Sequence, residues 1–126
     1  MKLSALAILA VLVLSLGLAA CGGEDETHYS LRATAKCLQE EGVKASEDDA
    51  DITAATGGEG GLGVTLPDNF VTLAFHRTAE EAEVAGEQYE LTGTATEVRR
   101  EGTVTLAWDN EPSSEEEDTV TSCLKS

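Results

Sequence analysis

Apolar positions recur with different periods in different parts of the 126-residue chain, and each period predicts an element. From Leu3 to Leu18 the chain is apolar almost without interruption. From Ser30 to Glu41, Leu31, Thr34, Ala35 and Leu38 recur at helical spacing with Cys37 beside them, which predicts a helix. Gly42 stands where a left-handed C-terminal cap belongs, and Val43 is placed to fold back on Leu38 in a Schellman motif. Residues 45–61 are Asp, Glu, Ala, Thr and Gly, with Ser46, around a single large apolar residue, Ile52. So little apolar surface predicts an acidic loop, with room for one helical turn.

Beyond residue 61 the period becomes two. Leu62, Val64 and Leu66 alternate with small or polar residues, Pro67-Asp68-Asn69 supplies a turn, and Val71, Leu73 and Phe75 alternate again. This is the pattern of a β-hairpin with one apolar face. Thr78-Ala79-Glu80-Glu81 has the form of a capping box and predicts a helix with Ala82, Ala85 and Tyr89 on one face. A second hairpin is expected from Ala95 to Arg99 and from Thr103 to Asp109, turning through Arg100-Glu101-Gly102, with Val104, Leu106 and Trp108 on one side. After Pro112, Ser114-Glu115-Glu116-Glu117 forms another capping box and starts a terminal helix whose inner face is Val120, Cys123 and Leu124.

The string Val71-Thr72-Leu73-Ala74-Phe75 returns 33 residues later as Val104-Thr105-Leu106-Ala107-Trp108. Each copy lies between a strand and a capped helix, which points to an internal ββα duplication, although the few residue types favoured in strands also produce such matches by chance. The expected fold is therefore α+β. It is a two-layer sandwich in which two ββα units give a four-stranded antiparallel sheet with helices on one face, plus an N-terminal helix.

The apolar run, preceded by one cation at Lys2, has the plan of a secretory signal peptide. It ends in Leu18-Ala19-Ala20-Cys21, which resembles the lipobox of bacterial lipoproteins: a branched apolar residue, two small residues and the cysteine. The resemblance implies that residues 1–20 are removed, that the Cys21 thiol carries diacylglycerol, and that the mature chain starts there. An uncleaved transmembrane helix is the competing reading, because about 18 apolar residues approach the lower limit for spanning a bilayer. Against it stand the small residues and cysteine that end the run, and Gly22-Gly23-Glu24-Asp25-Glu26 in place of a basic flank. Residues 21–27 then read as the lipidated cysteine and an acidic tether, and residues 28–126 as one domain. Enrichment in Ala, Gly and Glu also resembles the small lipoproteins of high-GC actinobacteria.

Charge agrees with an anchor of this kind. Without Lys2 the chain carries 7 basic residues against 24 acidic ones. Such a domain is repelled by anionic headgroups and by nucleic acid, and lacks the basic patches that nucleic-acid binding requires. Lipid on Cys21 is then its hold on the membrane, and two acyl chains suffice. With Cys21 committed to lipid, Cys37 and Cys123 remain, an even number in an exported chain, and they read as a disulfide that closes residues 28–126. Two free thiols are the alternative.

Few constellations suggest chemistry. Gly58-Glu59-Gly60-Gly61-Leu62-Gly63 matches G-x-G-x-x-G, but that fingerprint binds pyrophosphate only when it follows a strand and opens a helix. Here it follows an acidic loop and leads into a strand, so no nucleotide is expected. Glu47, Asp48, Asp49 and Asp51 are weak candidates for a divalent cation, without the spacing of an EF-hand loop; a solvated charge run is the plainer reading. Glu115, Glu116, Glu117 and Asp118 occupy the first turn of a helix, where carboxylates are favoured by the helix dipole. His76 falls on the opposite side of its strand from Val71, Leu73 and Phe75 and is expected at the surface, and His28 adjoins the tether. Neither has a neighbour in sequence that suggests a nucleophile–histidine–acid arrangement. Trp108 is expected in the core, with ligand stacking on a groove rim as the alternative.

No cofactor and no enzymatic activity are expected from these residues. The function expected is that of a lipid-anchored interaction or small-ligand-binding module on the extracytoplasmic side of the cell membrane, with an envelope protein as a possible partner. A divalent-cation binder acting through loop 47–51 is the alternative, and an enzyme finds no positive support.

Overall fold

The computed structural model describes residues 26–50 and 59–126 and shows an α+β protein. The expected signal segment, Cys21, Ile52, Asp51 and Gly58 lie outside the described residues. Ser30 opens α1 (Leu31–Glu40) by accepting a hydrogen bond from the Ala33 N–H at 3.1 Å, satisfying one of the N–H groups that a helix start leaves without a partner. At its other end Gly42, at φ +81°, donates to the Gln39 carbonyl and Val43 donates to the Leu38 carbonyl. These are the paired bonds of a Schellman motif, at the expected residues.

The sheet has five antiparallel strands rather than four: β1 (Lys44–Ser46), β2 (Gly60–Leu66), β3 (Asn69–Phe75), β4 (Glu97–Glu101) and β5 (Val104–Trp108), in the order β1-β2-β3-β5-β4. The additional strand falls in the stretch expected to be loop. It is three residues long with only Ala45 buried, too short for a period of two to show. The first strand of the second hairpin sits two residues later than expected, because the turn is Gly102-Thr103, with Gly102 at φ +55°, while its second strand falls within the expected span. The two similar strings are neighbours at the centre of the sheet, with Val71 opposite Trp108, Leu73 opposite Leu106 and Phe75 opposite Val104.

One face of the sheet carries Leu62, Val64, Leu66, Val71, Leu73, Phe75, Val104, Leu106 and Trp108, which pack with Leu38 of α1 and with Val120, Cys123 and Leu124 of the terminal helix α3 (Ser114–Leu124). Cys37 and Cys123 form a disulfide between these two helices, with 5.4 Å between Cα atoms. The helix between the hairpins, α2 (Ala79–Thr92), lies on the other face: Thr105, which points away from Val104 and Leu106, donates its hydroxyl to the Ala82 carbonyl at 2.6 Å. A Cβ on Gly86 of α2 would stand 3.3 Å from Val98 Cγ1 on the same face.

Helices therefore cover both faces, in three layers, which corrects the expectation of a two-layer sandwich with helices on one side. The second face is lined by small residues that a search for large apolar positions passes over. Strands β3 and β4 run parallel, α2 joins them across this face, and β5 lies between them, a split β-α-β arrangement. The two hairpins thus look alike as strands, while the helices that follow them take opposite faces.

The caps also differ in detail from the expected boxes. Thr78 accepts the Glu81 N–H as expected, but the Glu81 carboxylate receives the Arg77 N–H. At α3 the reciprocal box is formed by Ser113 and Glu116, one residue earlier than expected. That shift leaves Glu117 free to pair with Arg99 of β4.

Candidate functional site

A concavity of about 790 Å³ lies where the turn between β2 and β3 meets the link from β5 to α3. Asn69 ties these two segments together. Its Oδ1 accepts the N–H groups of Phe70 and Asn110 at 2.8 and 3.0 Å, and its Nδ2 donates to the Asn110 carbonyl at 3.0 Å. Glu116 Oε1 receives the Ser113 N–H in the helix cap and lies 3.5 Å from Asn69 Nδ2. A buried side chain with donor and acceptor both engaged fixes the relative position of the groove walls. Asn69 was legible in sequence only as a turn former, because the bonds it makes span 41 residues.

The groove is lined by the carboxylates of Glu41, Asp68, Glu111, Glu115 and Glu116, with Val43, Leu66 and Pro112 as its apolar part; no lysine or arginine lines it. Such a site disfavours phosphates and other anions and suits a group that brings positive charge or hydrogen-bond donors.

The residues singled out in sequence are not gathered into one site. Cys37 and Cys123 are joined on the core side of the sheet. Of the acidic candidates, Asp49 pairs with Lys44 at 3.3 Å, and its backbone packs on Gly63 so closely that a Cβ there would stand 2.6 Å away. Asp48 donates its N–H to Ser46 Oγ at 3.1 Å, and Glu47 gives its carbonyl to the Ala50 N–H. This is a turn folded against the edge of the sheet. Among the described residues, no group of three or more His, Cys, Asp or Glu side chains is placed to hold a metal ion.

Gly60, Gly61 and Gly63 lie within β2, and no helix follows them. His76 is 2% exposed, not at the surface as expected. Its N–H donates to the Thr103 carbonyl, and Thr103 in turn bonds Thr27, so the chain at residues 26–29 closes over this end of the sheet. Trp108 is 1% exposed and belongs to the core. No helix among the described residues is long and apolar enough to cross a membrane. Compared with protein-family models, curated proteins and solved structures, the chain gives no match.

Proposed function

We propose that this chain is a lipid-anchored, non-catalytic binding module on the extracytoplasmic side of the cell membrane, which offers its acidic groove to a ligand or envelope protein carrying positive charge. The observation that carries the reading is the run Leu3 to Leu18 closed by Leu18-Ala19-Ala20-Cys21. The disulfide between Cys37 and Cys123 supports it, because such bridges persist in oxidising compartments outside the cytoplasm. The charge balance supports it too, because a domain this acidic needs a covalent hold to stay on an anionic bilayer.

Two measurements test it. Cys21→Ser should move the protein from the membrane fraction to the soluble extracytoplasmic fraction with its fold intact; retention on membranes after a salt wash contradicts the anchor. Crosslinking in intact cells should recover a protein that the combined variant Asp68→Asn, Glu111→Gln, Glu115→Gln loses. An identical set of crosslinked proteins from both contradicts the groove as the binding surface.

A further inference from the structure

The first described residues and the acidic groove lie at opposite ends of the sheet. The Thr27 carbonyl accepts both the N–H and the hydroxyl of Thr103, at 3.0 and 3.2 Å, and the Glu26 carboxylate accepts the Ala79 N–H at 3.1 Å. Thr103 belongs to the turn between β4 and β5, and Ala79 is the first residue of α2, just past the end of β3. Gly102 fits this strap closely: a Cβ there would stand 2.2 Å from the Thr27 carbonyl oxygen. The chain therefore enters the domain where Phe75 pairs with Val104, whereas the groove forms beyond the pair of Val71 and Trp108. With five residues in β5 and seven in β3, the two ends stand roughly 17–23 Å apart at about 3.3 Å per residue.

Charge divides along the same axis. Arg77 stands two residues past the end of β3, Arg100 donates to the Gly102 carbonyl at 2.7 Å, and Lys125 pairs with Glu101 at 3.5 Å. Arg32 adjoins Leu31, which packs against Gly60 opposite Phe75. The strap end also holds Glu26, Glu59, Glu80, Glu81 and Glu101, so it is mixed in sign. The groove end has five lining carboxylates and no lining cation; Lys44, next to the lining residue Val43, is paired with Asp49 at 3.3 Å.

Resting on the reading of Cys21 as the lipid-bearing residue, we infer that the domain stands on the bilayer on its strap end, with the groove turned away toward the aqueous side. Four residues, Gly22 to Asp25, separate Cys21 from Glu26, which makes five Cα steps. An extended chain spans at most about 3.3–3.6 Å per residue, which keeps the strap end within roughly 18 Å of the headgroups. An anionic leaflet repels the groove end more strongly than the mixed strap end over a Debye length of roughly 8–10 Å, so electrostatics favours the same posture. The groove then meets partners arriving from solution or from layers outside the membrane, and not the lipid surface.

The test uses the full-length lipidated chain, with its disulfide formed, in vesicles that contain anionic lipid and a quencher attached to lipid headgroups. A fluorophore is attached after Arg77→Cys or Asp68→Cys, both at exposed positions; Lys125→Cys and Glu111→Cys form a second pair should either of the first fail to fold. Quenching about threefold stronger at the strap-end position is expected for a height difference of roughly 20 Å. Equal quenching, or stronger quenching at the groove end, in protein that floats with the vesicles and carries diacylglycerol by mass, overturns the orientation alone. Protein that neither floats nor carries diacylglycerol overturns the reading of Cys21, and the orientation with it. Inserting about ten Gly and Ser residues between Gly23 and Glu24 should remove the contrast at high salt, because a flexible linker of that length frees the domain to rotate and screening removes the electrostatic preference. A contrast that survives the insertion at high salt overturns the tether as its cause.

Discussion

On one face of the sheet Leu62, Val64, Val71, Leu73, Phe75, Val104, Leu106 and Trp108 meet α1 and α3; on the other, Thr105 and Val98 meet α2, and Gly63 meets the turn at Asp49. Both faces exclude water, since Thr72, Ala74, Thr105 and Ala107 are each below 5% exposed. The first does so with large side chains, each contributing roughly 1.5–3 kcal/mol of burial. The second does so with small side chains and glycines, where missing volume lets the Asp49 backbone approach Gly63 and α2 approach Val98 and Thr105, and apolar area contributes little. The comparison teaches that a strand whose pattern shows one apolar face can still be buried on both.

The heaviest test falls on the first face. Removing the bridge with Cys37→Ala and Cys123→Ala opens a loop with a sequence separation of 86. It should lower unfolding free energy by about 4 kcal/mol, read from the guanidinium midpoint and slope. A loss below about 1 kcal/mol would mean that residual structure already restricts the unfolded chain as much as the bridge does.

On the second face Gly63→Ala should cost about 2 kcal/mol, the usual effect of overfilling a packed contact. Its Cβ would lie 2.6 Å from backbone atoms of Asp49, so the turn must move away and the Lys44–Asp49 pair must shift with it. Unchanged stability would show that this contact is not a constraint. Thr105→Val keeps the shape of the side chain and removes one buried hydrogen bond to Ala82, for an expected loss of about 1 kcal/mol. A neutral result would mean that the helix carbonyl is satisfied within α2 alone.

How far each face was legible follows from the same contrast. The alternation of Val71, Leu73 and Phe75, and of Val104, Leu106 and Trp108, marks the first face completely, because large residues at a period of two have few other uses. The α+β class, the central hairpins and the inner face of α3 follow from it. The second face has no such mark: Gly63, Ala74 and Thr105 are also what a solvated strand contains. For that reason the pattern marks neither the placement of α2 nor the burial of His76. The groove was hidden differently, since Glu41, Asp68, Glu111 and Glu116 come from segments joined only by the fold and by Asn69. The anchor motif, by contrast, is entirely local in sequence.

The finest test of the second face is Gly86→Ala, where two small effects oppose each other. Gly86 lies inside α2, and alanine at an interior helix position is favoured over glycine by about 1 kcal/mol. Against this, the new methyl would stand 3.3 Å from Val98 Cγ1 and 3.7 Å from Thr105 Cγ2. The second distance is ordinary contact, and the first requires Val98 to yield by a few tenths of an ångström. Val98 belongs to β4, the edge strand among the described residues, and is half-buried, with no further described strand beyond it to hold it in place. It can therefore move, and the helix preference should win by about 0.5 kcal/mol, raising the thermal midpoint by a few degrees. A loss of stability of more than about 1 kcal/mol would mean that α2 is seated on β4 as rigidly as α3 is on the opposite face, and close approach would then constrain this side as firmly as bulk does the other.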